Sequence, residues 1–263
     1  MKYYRREDCR LCNSKNLSEV LSLTPTPWAD DYRTKENLHK SQEVIPMDIL
    51  SGTDILTTDF PHNIHTVIHL AGLSGVRDSL SNPTNYWKTN VLGSQRIFDF
   101  YKNKYDSRII YASSSTAYEP WRNPYALSKY GMEQLEHSNS LGLRFTTVYG
   151  PGARETMLIP KILKNDIDYL NVNHSRDFIH VDDVISAIDT VLHTYIKGVI
   201  DVGTGTTNKL IDIAEHFKID YENRIADETE RLDNTANIKT LNKLGWSSKI
   251  NLYKYIEENK HVQ

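Results

Sequence analysis

Tyr125 and Lys129 stand four residues apart in the run Tyr-Ala-Leu-Ser-Lys, a spacing that one helical turn converts into neighbours on a shared face. An ammonium beside a phenol favours phenolate and draws its pKa from about 10 towards neutrality. A weak base becomes a proton acceptor in this way. Shortly upstream, Ser113-Ser114-Ser115 closes the apolar run RIIYA. Open parallel sheets present ligand-facing groups at the carboxyl ends of their strands, so a serine here can orient a substrate hydroxyl. Proton removal by Tyr125 pairs with hydride transfer to a nicotinamide cofactor. The competing reading is an ordinary solvated helical pair; the strand-end serines and a well-marked helix start weigh against it.

The elements that must hold these groups follow from periodicity. From about residue 65, short apolar runs (TVIHLA, RIIYAS, LRFTTV and GVIDVG) alternate with longer helix-like segments, the pattern of helices connecting buried parallel strands. The segment 84–101 places Trp87, Val91, Phe98 and Tyr101 on one broad face and predicts a core-facing helix. In RNPYALSKYGMEQLEH, Asn123 caps the helix that carries Tyr125, and Pro124 occupies its first turn. FIHVDDVISAIDTVLHTY and KLIDIAEHF read as further helices, followed by IKTLNKLGW and a short C-terminal helix.

The chain has 263 residues, 31 Lys plus Arg against 34 Asp plus Glu, and 39% apolar residues. A net charge of −3 argues against a strongly basic nucleic-acid binder, and the apolar content against a disorder-dominated chain. No early apolar run resembles a signal peptide and none is long enough to cross a bilayer, so a cytoplasmic protein with no membrane partner is expected. Cys9 and Cys12 form a C-x-x-C pair, half a zinc site or a reversible disulfide; two sulfurs do not complete a metal site, and no metal is expected. His62, His65 and His69 have no recognised metal spacing.

Taken together these segments resemble the extended short-chain dehydrogenase/reductase superfamily, in particular its nucleotide-sugar epimerases and dehydratases. HLAGLSGVRDSLSNPTNYWKTNVLG at 69–93, ASSSTAY at 112–118, PYALSK at 124–129, and then LRFTTVYGPG, RDFIHVDDV and DVGTG carry the resemblance, in family order across 54–256. It implies NAD as cofactor, a nucleotide sugar as substrate, and a homodimer. It makes Ser114 the catalytic hydroxyl, Tyr125 the acid/base, and Lys129 the group that binds nicotinamide ribose and favours phenolate. On the cofactor side it implies Asp54 and Ile55 at the adenine edge, Leu70, Ala71 and Gly72 alongside the cofactor, and Asn90 steadying the core beside it. On the substrate side it points to Arg176 and Arg231 as nucleotide contacts, to Asp177 as a loop organiser, and to Thr147 in place of the family's usual Asn. The absence of an acid among Ser114-Ser115-Thr116 favours the 4-epimerase branch, in which a 4-keto sugar rotates before hydride returns to its other face.

The resemblance also has gaps. The family opens with a βα unit bearing a G-x-x-G-x-x-G-like turn that cradles pyrophosphate, and Gly52 is the only glycine before residue 69. The expectation is therefore an α/β fold with a truncated or modified Rossmann-like parallel sheet, helices on both faces, and the first glycine-rich βα unit missing. Residues 1–50 read as an atypical N-terminal segment and 51–263 as the epimerase-like domain, with substrate-side elements mainly in 150–180 and 220–263. Residues 1–50 more weakly resemble the start of the zinc-binding region of sugar C-methyltransferases, with Cys9 and Cys12 as its first pair and His39 as a conceivable third ligand. The leading expectation is an NAD-dependent nucleotide-sugar 4-epimerase. The alternatives are a noncatalytic nucleotide-sugar binding or assembly protein, or another dehydratase or reductase of nucleotide sugars.

Overall fold

The computed structural model describes residues 44–260 except 106, 136 and 137, with only the backbone at 103–105. Cys9, Cys12 and His39 lie outside the described residues. The chain divides into two compact units, Met1–Asp54 and Ile55–Gln263. In the first, the described residues form one 3-10 turn, Ile49–Ser51, whose entry is capped by the Asp48 side chain accepting from Leu50 N at 2.8 Å.

The second unit opens with β1 (Thr66–His69) and then a helical stretch of four joined pieces: α1 (Val76–Ser81), α2 (Pro83–Trp87), a π-helical turn at Lys88–Gly93, and α3 (Ser94–Tyr105). β2 (Arg108–Ser114), a 3-10 turn at Ser115–Tyr118, α4 (Pro124–Glu133) and β3 (Ser140–Phe145) follow. Next come β4 (Thr147–Tyr149), α5 (Leu158–Lys164), β5 (Tyr169–Asn171), β6 (Ser175–Arg176), β7 (Phe178–His180) and α6 (Val181–Leu192). The chain continues through β8 (Gly198–Val202), β9 (Asn208–Lys209), α7 (Leu210–His216), β10 (Glu222–Arg224), α8 (Lys239–Lys243) and α9 (Leu252–Lys260).

β1, β2, β3 and β8 make one four-stranded sheet in that order, all parallel. Parallel sheets are covered on both faces, which is why these strands read as nearly continuous apolar runs. Ile110, Leu141, Leu143 and Val202 pack with Val184, Ala187, Ile188 and Val191 of α6 and with Leu241 and Trp246. Tyr111 points the other way, its ring 5.4 Å from Phe98 of α3. Gly142 lets that ring lie across β3, since a Cβ there would come within 2.7 Å of the phenol. A second core gathers Tyr149, Ile159, Ile162, Leu170, Phe178, Ile213 and Ile256 around the short strands β4 to β7.

Three expectations from the pattern need correction. The run LRFTTV is not one strand: β3 begins earlier, at Ser140, and the chain breaks at Thr146, whose N–H donates to Val202 O at 3.1 Å, so that β4 can pair with β7 instead. Phe178–His180, expected as helix, is that partner strand β7, and α6 starts only at Val181. Trp87 leaves the core face predicted for it and is 42% exposed, whereas Val91, Phe98 and Tyr101 are buried. The π turn between Trp87 and Phe98 changes the phase of the helix, and a 3.6-residue wheel cannot register that shift.

Candidate active site

The site assembles where β1 and β2 end. Ser114 is the last residue of β2 and caps the 3-10 turn after it, accepting from Thr116 N at 3.2 Å and from Thr116 Oγ1 at 3.0 Å. Helix α4 starts as the sequence predicts: Asn123 is extended, its Oδ1 accepts from Ala126 N at 2.7 Å, and Pro124 holds the first position. That entry sets Tyr125 on the first turn and Lys129 on the second.

Ser114 and Tyr125 are brought together. The Ser114 hydroxyl bonds to the Tyr125 phenol and favours its ionised form, and the Arg154 guanidinium does the same through space. Burial works against both and wins, so the phenol lies above its usual pKa. The expectation that charge pulls it towards neutrality is thus reversed here. Desolvation of the ring is the dominant influence, and one N–H of the Lys129 ammonium donates to the carbonyl of Ala112 at 2.8 Å. Lys129 is itself buried, which lowers its pKa to about 8 against the opposing pull of Glu133.

Asn90 sits in the π turn, fully buried, and acts as a clamp. Its Oδ1 accepts from Leu73 N at 2.7 Å, and its Nδ2 donates to Leu73 O at 3.0 Å and to Ser128 Oγ at 2.9 Å. Ser128 in turn donates to Tyr125 O at 2.8 Å. All of these contacts are to protein, so Asn90 fixes the loop after β1 against α4 and presents no amide edge outward. Below it, Ser94 Oγ donates to Asn90 O at 2.6 Å, which leaves Ser94 to accept from His69 Nε2 at 2.8 Å. Burial and the nearby Lys129 hold His69 neutral, with a pKa of about 3.

The strip Leu70–Ala71–Gly72 is exposed, as a surface that borders a ligand must be. Gly72 presses on the site: a Cβ there would meet Asn90 Oδ1 at 2.9 Å and Lys129 Nζ at 3.2 Å. An exposed apolar backbone strip, a buried lysine and a serine-bonded phenol are of a chemistry that could border the nicotinamide and ribose end of NAD. The pyrophosphate end has no such match among the described residues. Gly203-Thr204-Gly205 does not supply one, because Thr204 N and Gly205 N both donate to the Asp177 carboxylate at 2.9 Å. Ile55 packs its side chain against Gly93 in the π turn and accepts from Arg96 through its carbonyl. Asp54 closes the first unit.

On the substrate side the groups named from sequence are engaged by protein. Thr147 Oγ1 accepts from Asn234 Nδ2 at 3.0 Å. Arg176 donates through Nη1 to Ser175 O at 2.9 Å and Leu232 O at 3.1 Å, and through Nη2 to His174 Nδ1 at 2.9 Å and Glu230 at 3.2 Å. Arg231 reaches over the 3-10 turn after β2, its Nη1 donating to Ser115 O at 2.5 Å and its guanidinium lying 5.3 Å from the Tyr118 ring centroid. Asp177 is a loop organiser: besides Thr204 and Gly205 it accepts from Ala236 N at 3.1 Å.

Two groups beside the phenol escape the sequence reading. Tyr86 donates to Ser74 O at 2.9 Å, and its ring packs edge-on to Tyr125 with centroids 6.0 Å apart. Arg154 is exposed and donates to Ser74 O at 3.1 Å. Its signal was an arginine two residues after the turn Gly150-Pro151-Gly152, whose glycines take φ of 125° and 80°. Further out, an open depression of about 660 Å³ is bordered by Trp121, Arg122, Asn173, Asp227, Thr229 and Leu232. No helix among the described residues is long and apolar enough to cross a membrane, and no cluster of three metal-ligating side chains occurs among them.

Comparison with known proteins bears on the fold and the family. The profile of the NAD dependent epimerase/dehydratase family matches residues 9–203. A UDP-glucuronate 4-epimerase of Thermodesulfobacterium geofontis is 28% identical over 233 residues, covering 77% of this chain and 71% of that protein. Protein CapI of Staphylococcus aureus is 35% identical over 153 residues, 48% of this chain and 46% of its own length. The UDP-glucuronic acid 4-epimerase of Bacillus cereus, solved with UDP-glucuronic acid and NAD, superposes with a TM-score of 0.70 at 25% identity, covering 79% of this chain and 78% of that one. A parallel sheet flanked by helices, the Ser114–Tyr125–Lys129 constellation at its strand ends and a family profile spanning most of the sequence lead to one assignment: the chain belongs to the NAD dependent epimerase/dehydratase family.

Proposed function

We propose that the chain is an NAD-dependent nucleotide-sugar epimerase that inverts C4 through a 4-keto intermediate. The observation that carries this reading is the convergence of Ser114, Tyr125 and Lys129 at the carboxyl ends of β1 and β2. NAD supplies the hydride acceptor and donor for C4. Tyr125 takes the proton of the C4 hydroxyl and gives it back after the sugar turns over. Ser114 bonds to the same phenol and orients the hydroxyl. Lys129 stabilises the phenolate and holds ribose, and Gly72 keeps the loop backbone close to both.

The raised phenol pKa of the free chain suits a base that ionises only once a substrate hydroxyl and further positive charge are in place. Arg154, an exposed cation beside the phenol, favours a sugar that carries a carboxylate. Two of the relatives above are named for UDP-glucuronate or UDP-glucuronic acid, which supports that choice. Arg176 and Arg231 are the nucleotide-side cations, freed for phosphate by exchange of their protein acceptors. Exposed Trp87, Leu127 and Tyr130 on α2 and α4 offer an apolar face for a second copy.

The test is incubation of the full chain with NAD and UDP-glucuronic acid or UDP-glucose, followed by proton NMR. The expected result is the 4-epimer with no net change in NADH. Saturable binding of nucleotide sugar with no NAD bound and no epimer would favour a noncatalytic binding protein.

A further inference from the structure

We propose that Glu133, paired with Arg144, is a positioning residue that keeps Lys129 in its ammonium form and locks helix α4 in register with the strand that carries Ser114. The inference rests on Tyr125 and Lys129 being the acid–base pair of the proposed reaction.

Glu133 follows Lys129 by one turn of α4, and its side chain is 1% exposed. Arg144 of β3 grips it with two bonds, Nε to Oε1 at 2.8 Å and Nη2 to Oε2 at 2.6 Å. Ser113 also donates its hydroxyl to Oε1. Lys129, one turn earlier, donates to the carbonyl of Ala112 at 2.8 Å. Two successive turns of α4 therefore hold two successive residues of β2, and the next residue of that strand is Ser114. A one-residue slip of the helix would break both attachments and carry Tyr125 away from Ser114.

The second argument is electrostatic. Among the described residues no carboxylate forms an ion pair with Lys129, and burial pulls its pKa down towards neutrality. The titratable groups that act on it are Glu133 on α4 and His69 on β1, and Tyr111 on β2 and Arg144 on β3 act on Glu133 in turn. His69 is neutral near pH 7, with a pKa of about 3. Tyr111 is neutral too, its pKa raised by burial and by Glu133. The carboxylate of Glu133 is thus the charge that favours the ammonium. Arg144 completes a chain outward: it stacks 4.0 Å from the Tyr118 ring centroid, and Tyr118 donates to Asp201 at 3.0 and 3.1 Å.

The experiment titrates Lys129 in the full, unliganded chain by NMR of 13Cε-labelled lysine, assigned by its loss in Lys129→Met, alongside the pH profile of 4-epimer formation. Glu133→Gln keeps an acceptor for Ser113 and removes the charge. The Lys129 midpoint is expected to fall below the wild-type value and the alkaline limb of the rate profile to move down with it. Ser113→Ala removes a bond and keeps the charge, and should leave the midpoint in place while lowering kcat. If Glu133→Gln does not fold, the uncharged pair Glu133→Gln with Arg144→Met takes its place, with the same expected fall. A midpoint unmoved in the charge-removing variant overturns the proposal. An unmoved limb with normal turnover overturns it too and leaves the epimerase reading standing. A shifted midpoint in a chain that forms no 4-epimer would remove the epimerase reading alone.

Discussion

Asn90 and Leu73 are joined by a reciprocal pair of hydrogen bonds: Leu73 N donates to Asn90 Oδ1 at 2.7 Å, and Asn90 Nδ2 donates to Leu73 O at 3.0 Å. One side chain thus pairs both backbone groups of a loop residue that no neighbouring strand pairs. The same Nδ2 reaches Ser128 on α4, so the loop after β1 and the helix bearing Tyr125 share a single anchor. Asn90→Ala removes the bonds to the backbone of the exposed Leu73 and leaves the buried Ser128 hydroxyl without one of its partners, at about 1–3 kcal/mol for a buried group left unsatisfied and less where water can reach. The expected result is a loss of roughly 2–4 kcal/mol in urea unfolding, with Asn90→Asp recovering only the acceptor half.

His69 makes the chain sensitive to acid. An unfolded histidine titrates near 6.5 and the folded one near 3, so between these values the unfolded state binds more protons and stability falls as pH drops. At pH 4.5 the penalty from this residue is about 2–3 kcal/mol. His69→Gln retains a donor for Ser94 and has nothing to protonate. Comparison of urea midpoints at pH 7 and 4.5 should show a smaller acid loss in the variant than in the wild type.

In the proposed reaction Arg154 acts on the chemistry and little on the fold. It is exposed, so Arg154→Gln should change stability by no more than about 0.5 kcal/mol. Its charge favours the phenolate of Tyr125; without it the phenol pKa rises further and the acid limb of kcat moves to higher pH. The same variant should lose more kcat/KM with UDP-glucuronic acid than with UDP-glucose, and equal losses would argue against a carboxylate-bearing substrate.

Much of this was legible in the sequence because it depends on local spacing. The Tyr125–Lys129 interval, the Asn123 cap with Pro124, and the serines ending RIIYA each state their geometry within a few residues. What was not legible depends on contacts across the fold. Arg154 reaches the phenol only through a glycine turn and a long excursion in sequence, and Glu133 on α4 gains its meaning from Arg144 on β3 and Ser113 on β2. The π turn around Asn90 defeated the helical wheel and sent Trp87 outward. Arg176 read as a nucleotide contact, while in the fold it has four protein acceptors. The sign of the Tyr125 shift was missed for a related reason: spacing reveals charges, and burial belongs to the whole packing.

The central claim is that the Tyr125 phenol moves the C4 hydroxyl proton during a transient oxidation at that carbon. It is tested most directly by giving the NAD-loaded protein a nucleotide sugar deuterated at C4 and following both epimers by NMR, beside Tyr125→Phe. The account predicts the 4-epimer with deuterium retained at C4, and a rate about 100- to 10,000-fold lower in the variant. Washout of the label to solvent, or an undiminished rate in Tyr125→Phe, would contradict it.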